Sequence, residues 1–439
     1  MFSLSSVLFF IILFLSIALF ARNLSKIIRN INLGKGGLVF NNKKERWRRV
    51  FFIAFGQSKM FKKPLVAILH LVVYIGFVII NIELLEIIID GLFGTHRVFS
   101  FMGDFYNILI GSFEILAFLV LLACVIFLIR RNILSIKRFM NPEMKGWPTS
   151  DANLILIFEI LLMSAFLTMD AADYILQEKD PTHYPKAGYF PVSQYIVPII
   201  DQLSVNHLIF IERFCWWFHI VGILGFLNYL AISKHLHILF AFPNTYYSNL
   251  NPQGHFTNMD SVTKEVKLML DPNADPYAQA DNNTNPDRFG AKDVMDLNWV
   301  QLLSAYSCTE CGRCTSECPA NTTGKKLSPR KIMMDVRDRV DEVGRGIDTH
   351  GKEFNDGKSL LNDFITSEEL WACTSCNACV EACPLSIDPL SIIMELRRYT
   401  VMEESAAPNE LNTVFSNIEN NGAPWQFPAS DRLKWIEDD

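Results

Sequence analysis

Eight of the chain's ten cysteines stand in two strings of one spacing, Cys308-x-x-Cys311-x-x-Cys314-x-x-x-Cys318-Pro319 and Cys373-x-x-Cys376-x-x-Cys379-x-x-x-Cys383-Pro384. Thiolates at this spacing hold a pair of 4Fe-4S cubanes: the first three of each string bind one cubane, and the fourth, just before proline, crosses to the other. The pattern predicts one cluster on Cys308, Cys311, Cys314 and Cys383, and a second on Cys373, Cys376, Cys379 and Cys318. Exchanged fourth ligands tie the strings together and bring the cubanes within electron-tunnelling reach. Zinc takes four ligands per ion and has no use for a fourth cysteine before proline, repeated at the same spacing. Disulfides belong to oxidising compartments. The chemistry these thiols predict is electron conduction. Cys124 and Cys215 stand singly in apolar runs and read as small buried hydrophobes.

Histidines supply the next candidates. His219 and His237 are eighteen residues apart, which on a continuous helix puts both rings on one face about 27 Å apart along the axis. His70 stands near the start of an antiparallel apolar run, at the depth of His237, so the two predict axial ligation of one haem b iron from opposite sides. The alternative is a histidine that hydrogen-bonds a neighbouring helix. By the same geometry the partner of His219 falls at Ile80, which is no ligand, so a second haem at His219 needs a loop histidine: His96, His183 or His207. His235, beside His237 but on another face, reads as an interfacial or haem-propionate contact. Glu83, Glu86, Glu114 and Glu159 lie deep in apolar runs and predict a proton path or a quinone headgroup site. Asp90, Asp170, Asp173 and Glu212, nearer the run ends, are expected to be solvated.

The elements that must position these groups are unevenly distributed. Half of the 439 residues are hydrophobic, and five apolar runs are long enough to cross a bilayer, which takes about 20 residues: 2–20, 64–89, 108–129, 153–175 and 208–232, the last with a cytoplasmic extension to 240. Between Arg22 and Lys63 basic residues far outnumber the single acid Glu45, and the loop with Arg130, Arg131, Lys137, Arg138 and Lys145 is basic too. Basic loops stay in the cytoplasm. The N-terminus is therefore expected outside and the cysteine domain in the cytoplasm, with the first run an uncleaved anchor, its charges following it. The division is a membrane domain 1–240, a linker 241–285 with a short helix at 262–270, a two-cluster domain 286–402 and an acidic tail 403–439, where Trp425 and Trp435 read as anchors of a partner-docking strap or of the tail on its own domain. Over fifty residues between Cys318 and Cys373, with helical patterning at 329–343, 367–372 and 392–404, favour a helical ferredoxin over a compact βαβ one. No basic, aromatic-interleaved surface predicts nucleic acid, and Gly34-Lys35-Gly36-Gly37 lacks the spacing of a nucleotide loop.

With these residues in place, the chain resembles the membrane iron–sulfur proteins related to the heterodisulfide reductases. The membrane half, through His219, His237 and Ser233-Lys234-His235-Leu236-His237, resembles the haem-bearing gamma subunit of respiratory nitrate reductase, a five-helix dihaem cytochrome b. The cytoplasmic half resembles those reductases' ferredoxin domain through Phe289-Gly290-Ala291-Lys292-Asp293-Val294, Cys308-Thr309-Glu310-Cys311-Gly312-Arg313-Cys314, Leu327-Ser328-Pro329 and Asn421-Gly422-Ala423-Pro424-Trp425. The resemblance implies a mostly α fold, a five-helix transmembrane cytochrome b-like bundle followed by a cytoplasmic α-helical ferredoxin domain. Larger relatives continue into CCG domains, whereas this sequence has no Cys-Cys pair, so that module is expected on a separate polypeptide.

The function expected is that of a bacterial inner-membrane, quinone-linked oxidoreductase subunit. Electrons pass between a CCG-domain subunit or a flavoprotein and menaquinone or ubiquinone, through two 4Fe-4S clusters and haem b, in a direction set by potentials. Alternatives from other classes are an iron–sulfur redox sensor and a haem-free polyferredoxin relay, each anchored in the membrane.

Overall fold

The structure, a computed structural model, describes residues 4–273 and 288–436. Residues 2–3 of the first expected run, 274–285 of the expected linker, 286–287 of the expected two-cluster domain and 437–439 of the tail lie outside the described residues. The described residues are mostly helical and include no strand, only isolated bridges such as Lys35 with Asn298. Five helices are long and apolar enough to cross a membrane: α1 Leu4–Ile31, α2 Pro64–Phe93, α3 Asp104–Leu128 with a continuation to Ile133, α4 Trp147–Lys179 and α5 Val205–Tyr229 with a continuation to Ile232. Apolar side chains that would be wasted on water, such as Phe10, Phe14, Ile68, Phe77, Phe118, Ile157, Phe210 and Phe214, point outward, as a lipid-facing surface requires.

Each helix packs on the next in sequence and α5 returns to α1, so the bundle closes. Proline in the first turn starts α2 and α4, where the missing N–H costs nothing, and left-handed Gly94 (φ 72°) ends α2. The helix α1 runs eleven residues past the expected limit of 20. Its last turns keep an apolar face, and Ile27 and Ile31, each 6% exposed, pack into the core of the cysteine domain.

That core ignores the expected boundary at 240. It joins Ile27, Ile31, Phe226, Leu230, Leu236 and Phe240 to Leu302, Tyr306, Ile332, Val336, Val340, Ile393 and Leu396. After Ser233 the chain re-enters helix as α6 His237–Tyr247, which packs on α7 Trp299–Ser307. The short helix expected at 262–270 appears as Asp260–Leu270. In the cysteine domain α8 Pro329–His350 buries Ile332, Val336, Val340 and Val343 along one stripe, at the spacing of an amphipathic helix. Ser328 caps its start, as Asp388 caps α9 Pro389–Met402. Where α1 meets α8, a Cβ at Gly344 would stand 2.3 Å from Asn30 Oδ1, so only glycine allows the approach. Asn30 donates there to the Tyr306 hydroxyl at 3.0 Å. In the tail, α10 Asn409–Asn421 buries no residue, and Trp425 and Trp435 are 42% and 72% exposed, so neither is buried as an anchor on its own domain.

Polar contacts fix the two halves further. Arg330, fully buried, donates to Glu143 (2.7 Å) and to the Arg138 carbonyl (2.8 Å), both in the loop between α3 and α4. Ser328 donates to the same Glu143 oxygen at 2.7 Å. Lys234 pairs with Glu310, which Arg337 holds from the other side at 2.8 Å. Lys62 pairs with Glu381, and Lys26 and Arg29 pair with Asp348. Removing one partner of a buried pair strands the other. Glu143→Ala should therefore cost about 3 kcal/mol, read as a lower Tm and faster proteolysis between the two halves of the purified protein. An unchanged Tm would mean that the contact does not hold the domain in place.

Candidate functional site

The two cysteine loops have the same backbone. In the first, Glu310 (φ 54°) and Gly312 (φ 70°) are left-handed; in the second, Ser375 (φ 57°) and Asn377 (φ 61°) occupy the same two places. Left-handed residues between successive thiols curl a loop so that its amides face inward, which makes an anion-binding concavity. The Ser375 amide points at Cys373 Sγ (3.4 Å) and the Ile387 amide at Cys383 Sγ (3.3 Å). Short helices follow each loop, Arg313–Ser316 and Ala378–Ala382, and pack on one another. Prolines 319 and 384 follow the fourth cysteine of each string.

By electrostatic reach the thiols sort mainly into two groups. Cys314 lies within electrostatic reach of Cys311, Cys308 and Cys383, and more weakly of Cys379. Cys383, from the second string, feels Cys311 of the first. Cys373 feels Cys318 and Cys376, and Cys379 feels Cys373 and Cys318. Burial pushes Cys308 and Cys379 up to about 12 and Cys383 to about 11, so these groups rest as thiols until a metal takes the proton's place. None of the eight is in a disulfide. Donors without acceptors among the described residues line the same ground: Arg138 Nε, whose guanidinium feels Cys311, Arg330 Nε, and Trp371 Nε1 just before Cys373. Thiol sets of this kind, with buried donors left over for sulfide, fit iron–sulfur clusters.

The neighbourhoods differ in outlook. Around Cys311 and Cys383 stand Arg138 and Lys59 from the membrane domain's loops. Around Cys373, Arg397 donates to the Cys373 carbonyl at 2.6 Å and lies over the Trp371 ring at 4.8 Å, while Cys376 is exposed. The first set faces the membrane domain and the second faces outward. Arg313, between Cys311 and Cys314 and 5% exposed, lies within electrostatic reach of His70 and donates to the Lys59 carbonyl at 3.4 Å.

His70 and His237 meet, with ring centres 6.5 Å apart and planes at 46°. Each has its Nδ1 engaged: His70 with Gln57 Oε1 at 3.0 Å, His237 with the Lys234 carbonyl at 3.2 Å. Nε2 of each is thereby left for another bond. The continuous helix expected to carry both His219 and His237 is interrupted between them. The α5 segment gives way at Ser233 (φ −114°, ψ 149°), where Asp151 accepts from Tyr229 (2.5 Å), Ser233 (2.7 Å) and the Lys234 amide (3.1 Å). Asp151 satisfies the polar groups freed by the break, and α6 restarts at His237. His235 lies 5.4 Å from His237 and 5.2 Å from Phe226, ring to ring. Burial, with the neighbouring His237 second, lowers His235 to about 3, and burial lowers His237 as well.

His219 stands apart, 2% exposed, its Nδ1 at 3.1 Å from the Leu162 carbonyl and its ring 5.8 Å from Phe166. Ile80 packs within the membrane core. The loop histidines have partners elsewhere: His96 with Asp173, His183 with Asp180 and His207 with Ser204. Three of the four acids expected to be solvated are buried: Asp170, Asp173 and Glu212 are at most 1% exposed, whereas Asp90 keeps partial exposure. The cause for the two aspartates is Arg97, which in the sequence is only a loop residue and which is buried beside them. The one signal was its isolation, a lone arginine in a base-poor loop facing several acids. Glu310, Lys234 and Arg330, also missed, carried no such mark.

Residues 307–387 match the 4Fe-4S dicluster domain. Across 99% of its length the chain is 27% identical to a "Probable iron-sulfur-binding oxidoreductase FadF" of Bacillus subtilis (strain 168), covering 61% of that protein. Across 98% it is 26% identical to an "EtfAB:quinone oxidoreductase" of Syntrophomonas wolfei, covering 59%. Over 27% of its length it is 31% identical to a CoB-CoM heterodisulfide reductase polypeptide of Methanosarcina acetivorans, covering 60%. The chain thus spans about three-fifths of the length of these relatives. No solved structure matches it. The chain carries a 4Fe-4S dicluster domain, is similar over nearly its whole length to iron–sulfur oxidoreductases, and has five helices able to cross a membrane.

At Gly312 two constraints meet: φ is 70°, and a Cβ would stand 2.4 Å from Arg330 Nη1. Gly312→Ala should displace the first loop and lower bound iron by about four of the eight expected from two cubanes, counted with acid-labile sulfide. Asn377→Gly, at the matching place, has neither constraint to violate and should keep the full count.

Proposed function

We propose that the chain moves electrons between a cytoplasmic redox partner and the quinone pool of a bacterial inner membrane, through two 4Fe-4S clusters and one haem b. The observation that carries the reading is the His70–His237 pair. With their ring centres 6.5 Å apart and Nδ1 of each engaged elsewhere, His70 and His237 would be the residues to hold a haem iron, which would supply one-electron chemistry there. Metal-binding histidines donate their other N–H to a carbonyl or similar acceptor, which orients the ring; Gln57 and the Lys234 carbonyl fill that role.

The residues also suggest an order of carriers. Cys308, Cys311, Cys314 and Cys383 would hold the cluster next to the membrane domain, with Arg313 between it and His70. Cys373, Cys376, Cys379 and Cys318 would hold the outer one, where exposed Cys376 offers a soluble partner close approach. Such clusters and a bis-histidine haem supply one-electron steps; the chain's part is to fix their order, exclude water and place positive charge beside them. The ferredoxin domain lies in the cytoplasm on this reading, since the loops it rests on are the basic ones. The name of the Syntrophomonas relative supports a quinone at one end and a flavoprotein at the other; similarity to a heterodisulfide reductase polypeptide supports a CCG-domain partner instead.

A reduced-minus-oxidised spectrum with an iron and sulfide count tests the reading. The purified protein should show a b-type band and about eight cluster irons, and His70→Ala and His237→Ala should each lose the band while keeping the sulfide. Full sulfide with no b-type band in the parent protein would reject the haem and leave a relay or sensor. The crossed ligands have their own test. Cys383→Ala should remove the paramagnetic signal of the cluster held by Cys308, Cys311 and Cys314, and Cys318→Ala that of the other. The opposite pairing of losses would refute the exchange.

A further inference from the structure

At the end of the bundle remote from the ferredoxin domain, Arg97 is 6% exposed, with a left-handed backbone (φ 52°). Asp90 accepts from its amide at 2.7 Å and from that of Val98 at 3.2 Å. The guanidinium donates through Nε to Asp173 (2.6 Å), through Nη2 to Asp170 (2.8 Å) and through Nη1 to the Tyr106 hydroxyl (3.2 Å). Tyr106 donates to Glu86 at 2.9 Å, and the other Glu86 oxygen accepts from the Phe99 amide at 2.8 Å. Glu114 accepts from the Val192 and Ser193 amides, at 2.8 and 3.1 Å, through one oxygen. Glu83 lies within electrostatic reach of Asp170, Arg97, Glu86 and Glu114.

Five carboxylates, Glu83, Glu86, Glu114, Asp170 and Asp173, each at most 3% exposed, therefore stand around one guanidinium. Gln177 donates to Asp173 at 3.3 Å, and His96, 3.2 Å from Asp173, is the other candidate cation. On the neighbouring side Arg213 is committed to Glu212, which Tyr184 also meets at 3.4 Å, with the Tyr184 ring 5.0 Å from His96. One arginine and one histidine cannot neutralise five buried carboxylates, and an unpaired buried carboxylate takes a proton instead of keeping its charge. An independent observation names the acceptors. Glu83 Oε2, Glu114 Oε1 and Asp170 Oδ2 are buried without a hydrogen-bond partner among the described residues.

We propose that Glu83, Glu114 and Asp170 form a proton-binding site, which exchanges with the medium at that end through Asp173 and His96. The His96 side chain, 24% exposed, is where this network meets solvent, and that of its partner Asp173 is 2% exposed. The ligand is the proton alone; no electron transfer is involved, and the proposal needs neither haem nor quinone.

Infrared difference spectra of the intact protein in H2O and D2O test it. The protein at neutral pH should show carboxylic-acid C=O absorption that shifts on exchange, and Glu83→Gln and Asp170→Asn should each remove part of it. Glu114→Gln gives the same readout from a different helix should either of the others fail to fold. No exchange-sensitive band in the parent protein, or one left intact by every folded variant, overturns the site. His96→Gln should slow the D2O shift several-fold without removing the band; an unchanged rate overturns the route. A missing b-type band would reject the haem and leave this result untouched.

Discussion

The contact on which the rest of the arrangement depends is Glu310 held between Lys234 and Arg337. Glu310 belongs to the first cysteine loop, Lys234 to the turn after the fifth membrane helix, and Arg337 to the long helix of the ferredoxin domain. A buried ion pair contributes little net stability against an apolar pair of the same shape, but it is expensive to separate. That asymmetry suits a joint whose register matters more than its strength. Opposing cations hold the Glu310 carboxylate below the usual range despite its burial, so the joint stays charged. With it closed, the loop of Cys308, Cys311 and Cys314 cannot slide over the membrane domain, and Arg313 stays beside His70.

The break at Ser233 follows from the same joint. A straight continuation of α5 would carry Lys234 and His237 away along the axis. Asp151 instead gathers the Tyr229 hydroxyl, the Ser233 hydroxyl and the Lys234 amide, so the exposed polar groups of a helix end are satisfied. Lys234 turns to Glu310, and His237 turns toward His70. The apolar core then runs through the junction from Phe226 and Leu230 to Leu302 and Val336. Membrane helix and ferredoxin domain form one packed body there, which is why a boundary drawn at residue 240 matches no feature of the packing.

What could be read in advance was whatever a short stretch of chain determines by itself. Five apolar runs needed only length and composition, the helices at 329–343, 367–372 and 392–404 only periodicity and caps, and the cysteine loops only spacing. The meeting of His70 with His237 was legible because antiparallel helices fix depth, even though the continuous helix invoked for His237 is interrupted. Illegible were the groups whose role arises from distant residues. Glu310 reads as an ordinary acid inside a cysteine motif, Arg330 as one more base on an amphipathic helix, and Asp151 as a solvated residue at a helix start. Asp170 and Asp173 were expected in water because they lie near a helix end; burial there depends on Arg97, some seventy residues away, and no local pattern announces it.

Charge is distributed oppositely at the two ends of the bundle. Near the ferredoxin domain, Lys59, Arg138, Arg313, Arg330 and Arg337 surround the first cysteine set, and the Nε groups of Arg138 and Arg330 lack acceptors among the described residues. An excess of buried cations favours whatever adds negative charge, which for thiolate-bound clusters includes the added electron. At the remote end carboxylates exceed cations, and an excess of buried anions favours whatever adds positive charge, which in a dry site is the proton. A chain lacking either imbalance would have to supply those charges from water, which the apolar middle of the bundle keeps out. The five helices thus hold apart two polar regions with opposite appetites, and the long apolar stretch between them, interrupted by His219 and Glu159, keeps the two from neutralising one another.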